Sequence, residues 1–290
     1  MHSPGPPSKL NGMLSHDPAL SDVPLRALVS SPDASIERIA LGIARDEFPR
    51  LDVAASLAQL DDLAAPVAQR VARARTASAQ AGVLGTYLHD ECGFRGNEDD
   101  YYDPRNSYLN LVLERRLGIP ITLAVVLIAV GRRLGLAIDG VGFPGHFLVR
   151  LGGDDGIFLD PFFRVRILSR PALENLARRA LGHGAALRPE YLAPVGAHAF
   201  AIRMLTNLKA IYEARRDHAR AMVVCDRIVD IADVPENRRD RGRNALALGA
   251  LAAAADDLEH YLAQRSDAHD AEPLREALAR ARARGGPALQ

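Results

Sequence analysis

The sequence predicts an α+β fold: a helical N-terminal layer, a buried core helix, a small antiparallel sheet and an α-helical tail. Three observations support this prediction. Apolar residues recur at helical spacing from residue 36, the pattern changes to short β-like runs after Gly135, and the chain is helical again from about residue 197. Apolar residues make up 48% of the chain and charged residues 25%, which is typical of a folded globular protein and excludes global disorder.

The N-terminal part predicts a leader followed by three helices. Residues 1–30 are rich in proline, serine and glycine and show little periodicity, so we expect a flexible leader. Asp33 is the expected N-cap of the first helix, whose apolar face is formed by Ile36, Ile39, Ala40 and Ile43. A second helix is expected from about Leu51, and a third over about 67–88.

The middle of the chain predicts a core helix behind an aromatic segment. Residues 94–104 are turn-rich and aromatic, and a short helix is expected from about Ser107. The longest apolar run, residues 119–130, follows Gly118, and Pro120 suits the first turn of a helix. Because this run is shorter than the roughly 20 residues needed to cross a bilayer, it predicts a buried helix.

A β-hairpin predicts a histidine–aspartate pair. Strands are expected over 138–143, 147–151 and 157–159, and the glycine-rich residues 152–156 form the loop between the last two. If Leu151 pairs with Ile157, Asp160 becomes the diagonal neighbour of His146 on the same face of the sheet. A carboxylate bonded to an imidazole fixes its tautomer and raises its basicity, which is half of a nucleophilic catalyst.

The C-terminal part predicts two copies of a helical unit, over 207–231 and 240–265. Ala221, Cys225 and Ile228 match Ala254, Leu258 and Tyr261 at a constant offset of 33 residues. A helical hairpin that repeats every ~34 residues is the tetratricopeptide period. Two such repeats are too few for a separate solenoid, so we expect the tail to pack on the core.

The central motifs resemble those of the bacterial SirB-type transglutaminase-like proteins, which join a transglutaminase-like core of the papain superfamily to tetratricopeptide repeats. The motifs are GNEDDYYDPRNSYLNLVLERRLGIPITLAVVLIAVGRRLGL, GVGFPGHFLVRL and FLDPF. The resemblance covers about residues 33–265. It implies that His146 and Asp160 occupy the histidine and aspartate positions of a Cys–His–Asp triad.

The third triad position departs from the catalytic relatives, in which the core helix opens with Gly-x-Cys-x-x-x-Ala. Here that frame runs from Gly118 to Ala124 and places Pro120 where the thiol belongs. Proline cannot attack a carbonyl, so thiol chemistry from this position is excluded. Three other residues remain as replacements: Thr122 is expected to face away, Ser107 to cap a helix, and Cys92 to be a structural thiol.

The same segment offers candidates for binding. Tyr102, Asn106, Ser107, Tyr108 and Phe143 are the expected cleft and partner-binding residues. The tyrosines and Asn106 could equally hold the segment to the core through Asx-turns and buried hydroxyls. Likewise, His146 and Asp160 could be a structural or ligand-gripping pair instead of a catalytic one.

Several function classes are disfavoured. Equal numbers of acidic and basic residues, 36 each, argue against nucleic-acid binding, although Arg238, Arg239, Arg241 and Arg243 are clustered. Four possible metal ligands are adjacent in the chain, His89, Asp90, Glu91 and Cys92, but neighbouring side chains diverge, so no metal site is expected. The sequence has no glycine-rich phosphate-binding loop, so no cofactor is expected either. Two cysteines and the absence of a signal peptide predict a cytoplasmic protein without membrane contact.

The sequence therefore predicts a non-catalytic regulatory or scaffolding protein that binds a protein or peptide partner through a degenerate cleft. The alternative is a hydrolase or acyltransferase in which a relocated nucleophile serves His146 and Asp160. The expected organisation is a leader over 1–30, a transglutaminase-like domain over 31–196, helical repeats over 197–265 and a C-terminal helix and tail over 266–290.

Overall fold

The computed structural model describes residues 23–284. Five α-helices form its N-terminal layer. They are α1 (Leu25–Ser30), α2 (Ile36–Ala44), α3 (Val53–Ala64), α4 (Ala68–Arg73) and α5 (Ala77–Gly85). Helix α1 lies within the expected leader, whose first 22 residues are outside the described part of the chain. Leu25 and Val29 are buried against α2, which explains why these residues are helical.

Side-chain caps set the helix starts. Ser35, and not Asp33 as expected, caps α2 by accepting a hydrogen bond from the backbone N–H of Arg38 at 3.4 Å. The expected third helix is in fact two, because Ala74 is extended and Thr76 caps α5. A π-helical turn over Thr86–Glu91 then ends this layer.

The buried core helix forms as predicted. A short parallel pair, β1 (Arg95–Gly96) with β2 (Leu117–Gly118), flanks α6 (Leu109–Arg115) and leads into α7 (Pro120–Arg133). Every residue of α7 from Ile121 to Gly131 is buried, and the helix packs against α2, α3 and the sheet. Within residues 23–284, no helix has both the length and the apolar character needed to cross a membrane.

The sheet has four antiparallel strands in the order β3 (Ile138–Val141), β4 (Leu148–Leu151), β5 (Ile157–Asp160) and β6 (Arg166–Leu168). Leu151 pairs with Ile157, which confirms the predicted hairpin register. The fourth strand was not predicted. It pairs Arg166 directly with Asp160 across the hairpin between β5 and β6.

Six further helices complete the chain as described: α8 (Arg170–Leu181), α9 (Ala197–Ala214), α10 (His218–Ile231), α11 (Pro235–Ala247), α12 (Leu251–Gln264) and α13 (Ala271–Arg284). Both ends of α10 recur in α12 after 33 residues, which confirms the predicted repeat offset. Cys225 is buried in α10, and burial raises the pKa of its thiol to about 12.

The helical tail packs on the core, as the sequence predicts. Phe200 and Met204 of α9 belong to the same hydrophobic cluster as α2 and α7. The hydroxyls of Tyr108 and Tyr212 are 2.6 Å apart across the junction, and Arg220 forms a bidentate ion pair with Glu47. These two tyrosines also line a solvent-open cavity of about 400 Å³ between α2, the segment over 100–108 and α10.

Candidate functional site

The hairpin brings His146 and Asp160 to the same end of the sheet. His146 lies two residues before β4, and Asp160 is the last residue of β5, the antiparallel neighbour. The imidazole is half-buried, whereas the Asp160 carboxylate is almost fully buried. The two groups are close enough for the charge of Asp160 to act on His146.

The expected hydrogen bond between this pair is absent from the described part of the chain. One oxygen of Asp160, Oδ1, accepts the backbone N–H of Phe162 at 3.1 Å, and Oδ2 accepts Nη2 of Arg166 at 3.1 Å. The cause is β6, which places Arg166 opposite Asp160 in the sheet. The aspartate is therefore held by an arginine and does not orient the imidazole.

Arginines dominate the surroundings of His146. Burial lowers the pKa of the imidazole below its ordinary value, Asp160 raises it, and the positive charges of Arg179, Arg203 and Arg166 lower it further. Nη2 of Arg203 also donates a hydrogen bond to the carbonyl oxygen of His146 at 3.1 Å. The lowered pKa favours the neutral form of the imidazole, and its immediate environment carries more positive than negative charge.

Pro120 opens α7, where the resemblance places the nucleophile, and Thr122 does not replace it. The hydroxyl of Thr122 is fully buried and donates to the carbonyl oxygen of Asn106 at 2.7 Å. The hydroxyl oxygen of Thr122 in turn accepts a hydrogen bond from the backbone N–H of Ile119 at 3.1 Å. Thr122 therefore ties the first turn of α7 to the preceding segment and has no free hydroxyl for chemistry.

Ser107 and Cys92 do not serve the imidazole either. Ser107 is buried, its hydroxyl has no hydrogen-bond partner among residues 23–284, and it does not cap α6, because Tyr108 occupies that position. Cys92 is half-buried beside Tyr87, whose pKa is raised to about 12 by burial and by a hydrogen bond with Cys92. No hydroxyl or thiol in the described chain is hydrogen-bonded to the His146 ring.

Most of the expected partner-binding residues lie inside the protein. Asn106, Ser107 and Phe143 are at most 1% exposed, and Tyr108 is 5% exposed, although it lines the cavity beside Tyr212. Asn106 instead braces its own segment by donating to the carbonyl oxygen of Asp100 at 2.8 Å. Tyr102 alone of the five is exposed, with 68% of its surface accessible.

The segment over 95–106 contacts the turn that follows β5. The ring of Tyr101 packs edge-to-face on Phe162 with centroids 5.9 Å apart, and its hydroxyl is near enough to Arg203 for their charges to interact. Gly96 makes this approach possible, because a Cβ built there would lie 2.5 Å from the Phe162 ring. The segment therefore connects α7 to the end of the sheet that carries Asp160.

Sequence reasoning missed the arginines at this site. Arg203 is 57 positions beyond His146 on α9, and no local pattern links the two. Arg166 had a usable signal, since extending the β-pairing beyond Pro161 would have placed a residue opposite Asp160. Arg179 depends on how α8 packs on the turn at Gly145, which only the tertiary structure shows.

The acidic residues near Cys92 are engaged in ion pairs. Asp90 contacts His89 and Arg164, and Glu91 forms an ion pair with Arg70 at 2.8 Å. Over residues 23–284, no three His, Cys, Asp or Glu side chains come together as a metal-ligand set.

Two family models match the chain. The transglutaminase-like superfamily matches residues 54–206, and a tetratricopeptide repeat matches residues 208–279. A UPF0162 protein of Xylella fastidiosa is 40% identical over 254 residues, which are 86% of this chain and 90% of that relative. A UPF0162 protein of Pseudomonas aeruginosa is 31% identical over 210 residues, 72% of this chain and 76% of the relative.

A shorter similarity extends to animals. F-box only protein 21 of Mus musculus is 45% identical over 76 residues, which are 26% of this chain and 12% of that protein. No solved structure matches the chain.

Proposed function

Because the chain belongs to the SirB-type transglutaminase-like family, together with the UPF0162 proteins of Xylella fastidiosa and Pseudomonas aeruginosa, we propose that it is a non-catalytic protein that binds a protein or peptide partner. The degenerate cleft at His146 is the proposed contact surface. Helix α9 reaches this surface through Arg203, which donates a hydrogen bond to the carbonyl oxygen of His146 at 3.1 Å. Tetratricopeptide repeats are extended interaction surfaces in general, which supports a protein partner.

The observation that carries the proposal is that no hydroxyl or thiol of residues 23–284 is hydrogen-bonded to the His146 imidazole. General-base activation of a nucleophile needs a hydroxyl or thiol within hydrogen-bond reach of the histidine. Across residues 23–284 the His146 ring has no such bond, Pro120 replaces the thiol, and Arg166 holds the carboxylate of Asp160. These three observations support the proposal of a non-catalytic protein.

Catalysis is tested first, because the alternative function predicts a measurable activity. Wild-type protein and the His146→Ala variant are assayed side by side on a panel of amide and ester substrates, with circular dichroism as the folding control. The proposal expects equal, background rates from both proteins. Hydrolysis or acyl transfer that is lost in His146→Ala would overturn it in favour of the hydrolase or acyltransferase.

Partner binding is tested by site-specific cross-linking in the cell of origin. A photo-reactive amino acid replaces the exposed Tyr102 at the cleft, and in a matched variant it replaces Asp154, whose side chain is 99% exposed in the hairpin loop. The proposal expects a discrete cross-linked protein or peptide from position 102 and none from position 154. The same products from both positions would count against a binding role of this cleft.

The proposal extends to organisation and location. The transglutaminase-like domain is proposed to span residues 31–196, now with α1 attached to it, and the repeats residues 197–265. Because the chain has only two cysteines, the protein is proposed to act in the cytoplasm, with no nucleic acid, membrane or cofactor involved.

A further inference from the structure

The end of the sheet at His146 carries unpaired positive charge. Arg203 on α9 donates to the carbonyl oxygens of His146 at 3.1 Å and Phe143 at 3.5 Å, and it has no carboxylate partner within the described chain. Arg179 on α8 has none in that range either. Its neighbour Ala180 packs on the turn before His146, because a Cβ on Gly145 would lie 3.1 Å from the Cβ of Ala180.

The single carboxylate at this place is already neutralised. Asp160 is almost fully buried and forms its ion pair with Arg166 at 3.1 Å. No carboxylate of residues 23–284 pairs with Arg179 or Arg203, whose positive charges act on the imidazole, although the whole chain has a formal net charge of zero. A half-buried guanidinium that bonds only carbonyls retains donors for an anionic oxygen.

An aromatic strip, defined as Tyr102, Tyr101, Phe162 and Phe163, lies beside these arginines. Consecutive rings are in contact, with centroid distances of 5.3, 5.9 and 5.1 Å. Tyr101, Tyr102 and Phe163 are exposed, as is Ile167 near the same edge. Contiguous exposed apolar surface of this kind is typical of interaction sites.

The strip and the arginines form one surface. At one end Arg166 lies over the ring of Phe163 at 5.1 Å, and further along the strip Tyr101 is near enough to Arg203 for their charges to interact. A ligand on the strip would therefore also reach guanidinium groups. Aromatic and arginine side chains are the residues most enriched at energetic centres of protein interfaces.

We propose that this surface binds an acidic peptide segment, with a carboxylate side chain between Arg179 and Arg203 and a neighbouring apolar side chain on the aromatic strip. This inference rests on the proposed function and specifies the chemistry of its partner. Charge complementarity selects the acidic residue, and the exposed strip selects the apolar one. A nucleic acid is the less suitable anion, because the edge-to-face packing of the rings, at 63° to 80°, leaves few open faces for bases to stack on.

The test is a selection from a random peptide library displayed on phage, followed by fluorescence polarisation with the selected peptides. The full-length protein is compared with an Arg179→Gln/Arg203→Gln double variant and with Tyr102→Ala. Arg178→Gln is the matched control, because Arg178 lies on the same helix and bonds only Asn175. Circular dichroism verifies that each variant is folded.

The expected result is enrichment of Asp or Glu next to an apolar residue, with affinity about tenfold weaker for the arginine double variant and unchanged for Arg178→Gln. Replacing the peptide carboxylates by amides is expected to cause a similar loss. Peptides that depend on Tyr102 and ignore both arginines would overturn the acidic preference and leave the proposed function standing. Peptides whose binding is unchanged in all these variants, or a selection that yields no peptide, would overturn both the acidic preference and the proposed function. Displacement of the peptide by a single-stranded oligonucleotide at lower concentration would assign the surface to nucleic acid.

Discussion

The hydroxyl pair of Tyr108 and Tyr212 is the most informative place to perturb the junction between core and tail. The two oxygens are 2.6 Å apart, and both side chains are about 95% buried. Burial and the mutual hydrogen bond raise the pKa of Tyr108 far above its ordinary value, so the phenol stays protonated. Replacing either residue by phenylalanine removes one hydroxyl and leaves the other without its partner.

The expected cost follows from that asymmetry. A net hydrogen bond contributes about 0.5–1.5 kcal/mol, and an unsatisfied buried hydroxyl costs about 1–3 kcal/mol. Because the cavity of about 400 Å³ beside the pair admits water, the remaining hydroxyl can bond to water, and its cost lies at the lower end of the about 1–3 kcal/mol range. We expect each single variant to lose about 1–2 kcal/mol of unfolding free energy, and the double variant to lose less than the sum, with a coupling of about 1 kcal/mol.

The assay is urea unfolding of the wild type, both single variants and the double variant. The chain contains no tryptophan, so far-UV and tyrosine near-UV circular dichroism are the two probes. Coincident transitions are required before the free energies are combined in a double-mutant cycle. Additive single effects would show that the hydroxyls do not interact, and a double variant less stable than the sum predicts would show a coupling of the opposite sign. Either result would refute this account of the junction.

Three further predictions concern the site and its supports. The His146 ring is expected to titrate below pH 6.5 by NMR, because burial and neighbouring arginines lower its pKa. Arg203→Gln is expected to raise that pKa, and an unchanged pKa would contradict the proximity of Arg203 to the imidazole. For Asp103, burial alone would raise the pKa, but hydrogen bonds from Arg105 and nearby guanidinium charges outweigh it and lower the value. The stability contributed by this carboxylate is therefore complete above its ordinary pKa of 3.8 and is lost as the pH falls further. Asp103→Asn is expected to reduce the dependence of the unfolding free energy on pH below 3.8. An unchanged acid transition would exclude a stabilising role of the Asp103 carboxylate. Gly96→Ala is expected to destabilise by about 1–3 kcal/mol in thermal unfolding, because the new methyl group overlaps the Phe162 ring, and an unaltered melting temperature would mean that the ring moves freely.

Local patterns predicted the regular elements well. The hairpin register followed from two apolar strands and a glycine-rich loop, since a slip of one residue would turn Leu151 and its neighbours to the wrong face. The repeat offset was visible because the buried positions of α10 and α12 are equivalent. Short elements were missed: α1 has six residues and β6 three, too few for either periodicity to rise above its surroundings.

The site was predicted less completely, because its defining contacts are long-range. The positions of His146 and Asp160 followed from the hairpin, but the charge state of the pair depends on Arg166, Arg179 and Arg203, which reach it from β6, α8 and α9. Asn106 and Ser107 were assigned to the cleft mouth because they are polar and lie among aromatic residues. They are buried instead, since Asn106 closes its own segment and gives its carbonyl to Thr122.

The turn between Asp160 and Arg166 shows that this end of the sheet is held in place at some cost. Arg164 and Val165 both have left-handed backbone conformations, with φ of 54° and 52°, and for the β-branched Val165 this is a rare and unfavourable state. Such conformations persist only where surrounding contacts impose them. Here the Arg164 carbonyl sits 3.1 Å from where a Cβ on Gly85 would be, and the Arg164 side chain is paired with Asp90.

The strained turn has one structural result, which is the pairing of Arg166 with Asp160. The same pairing leaves Arg166 stacked over Phe163 at the edge of the aromatic strip. The turn therefore presents an arginine and an aromatic ring side by side at one edge of the sheet, which supports the proposed binding surface.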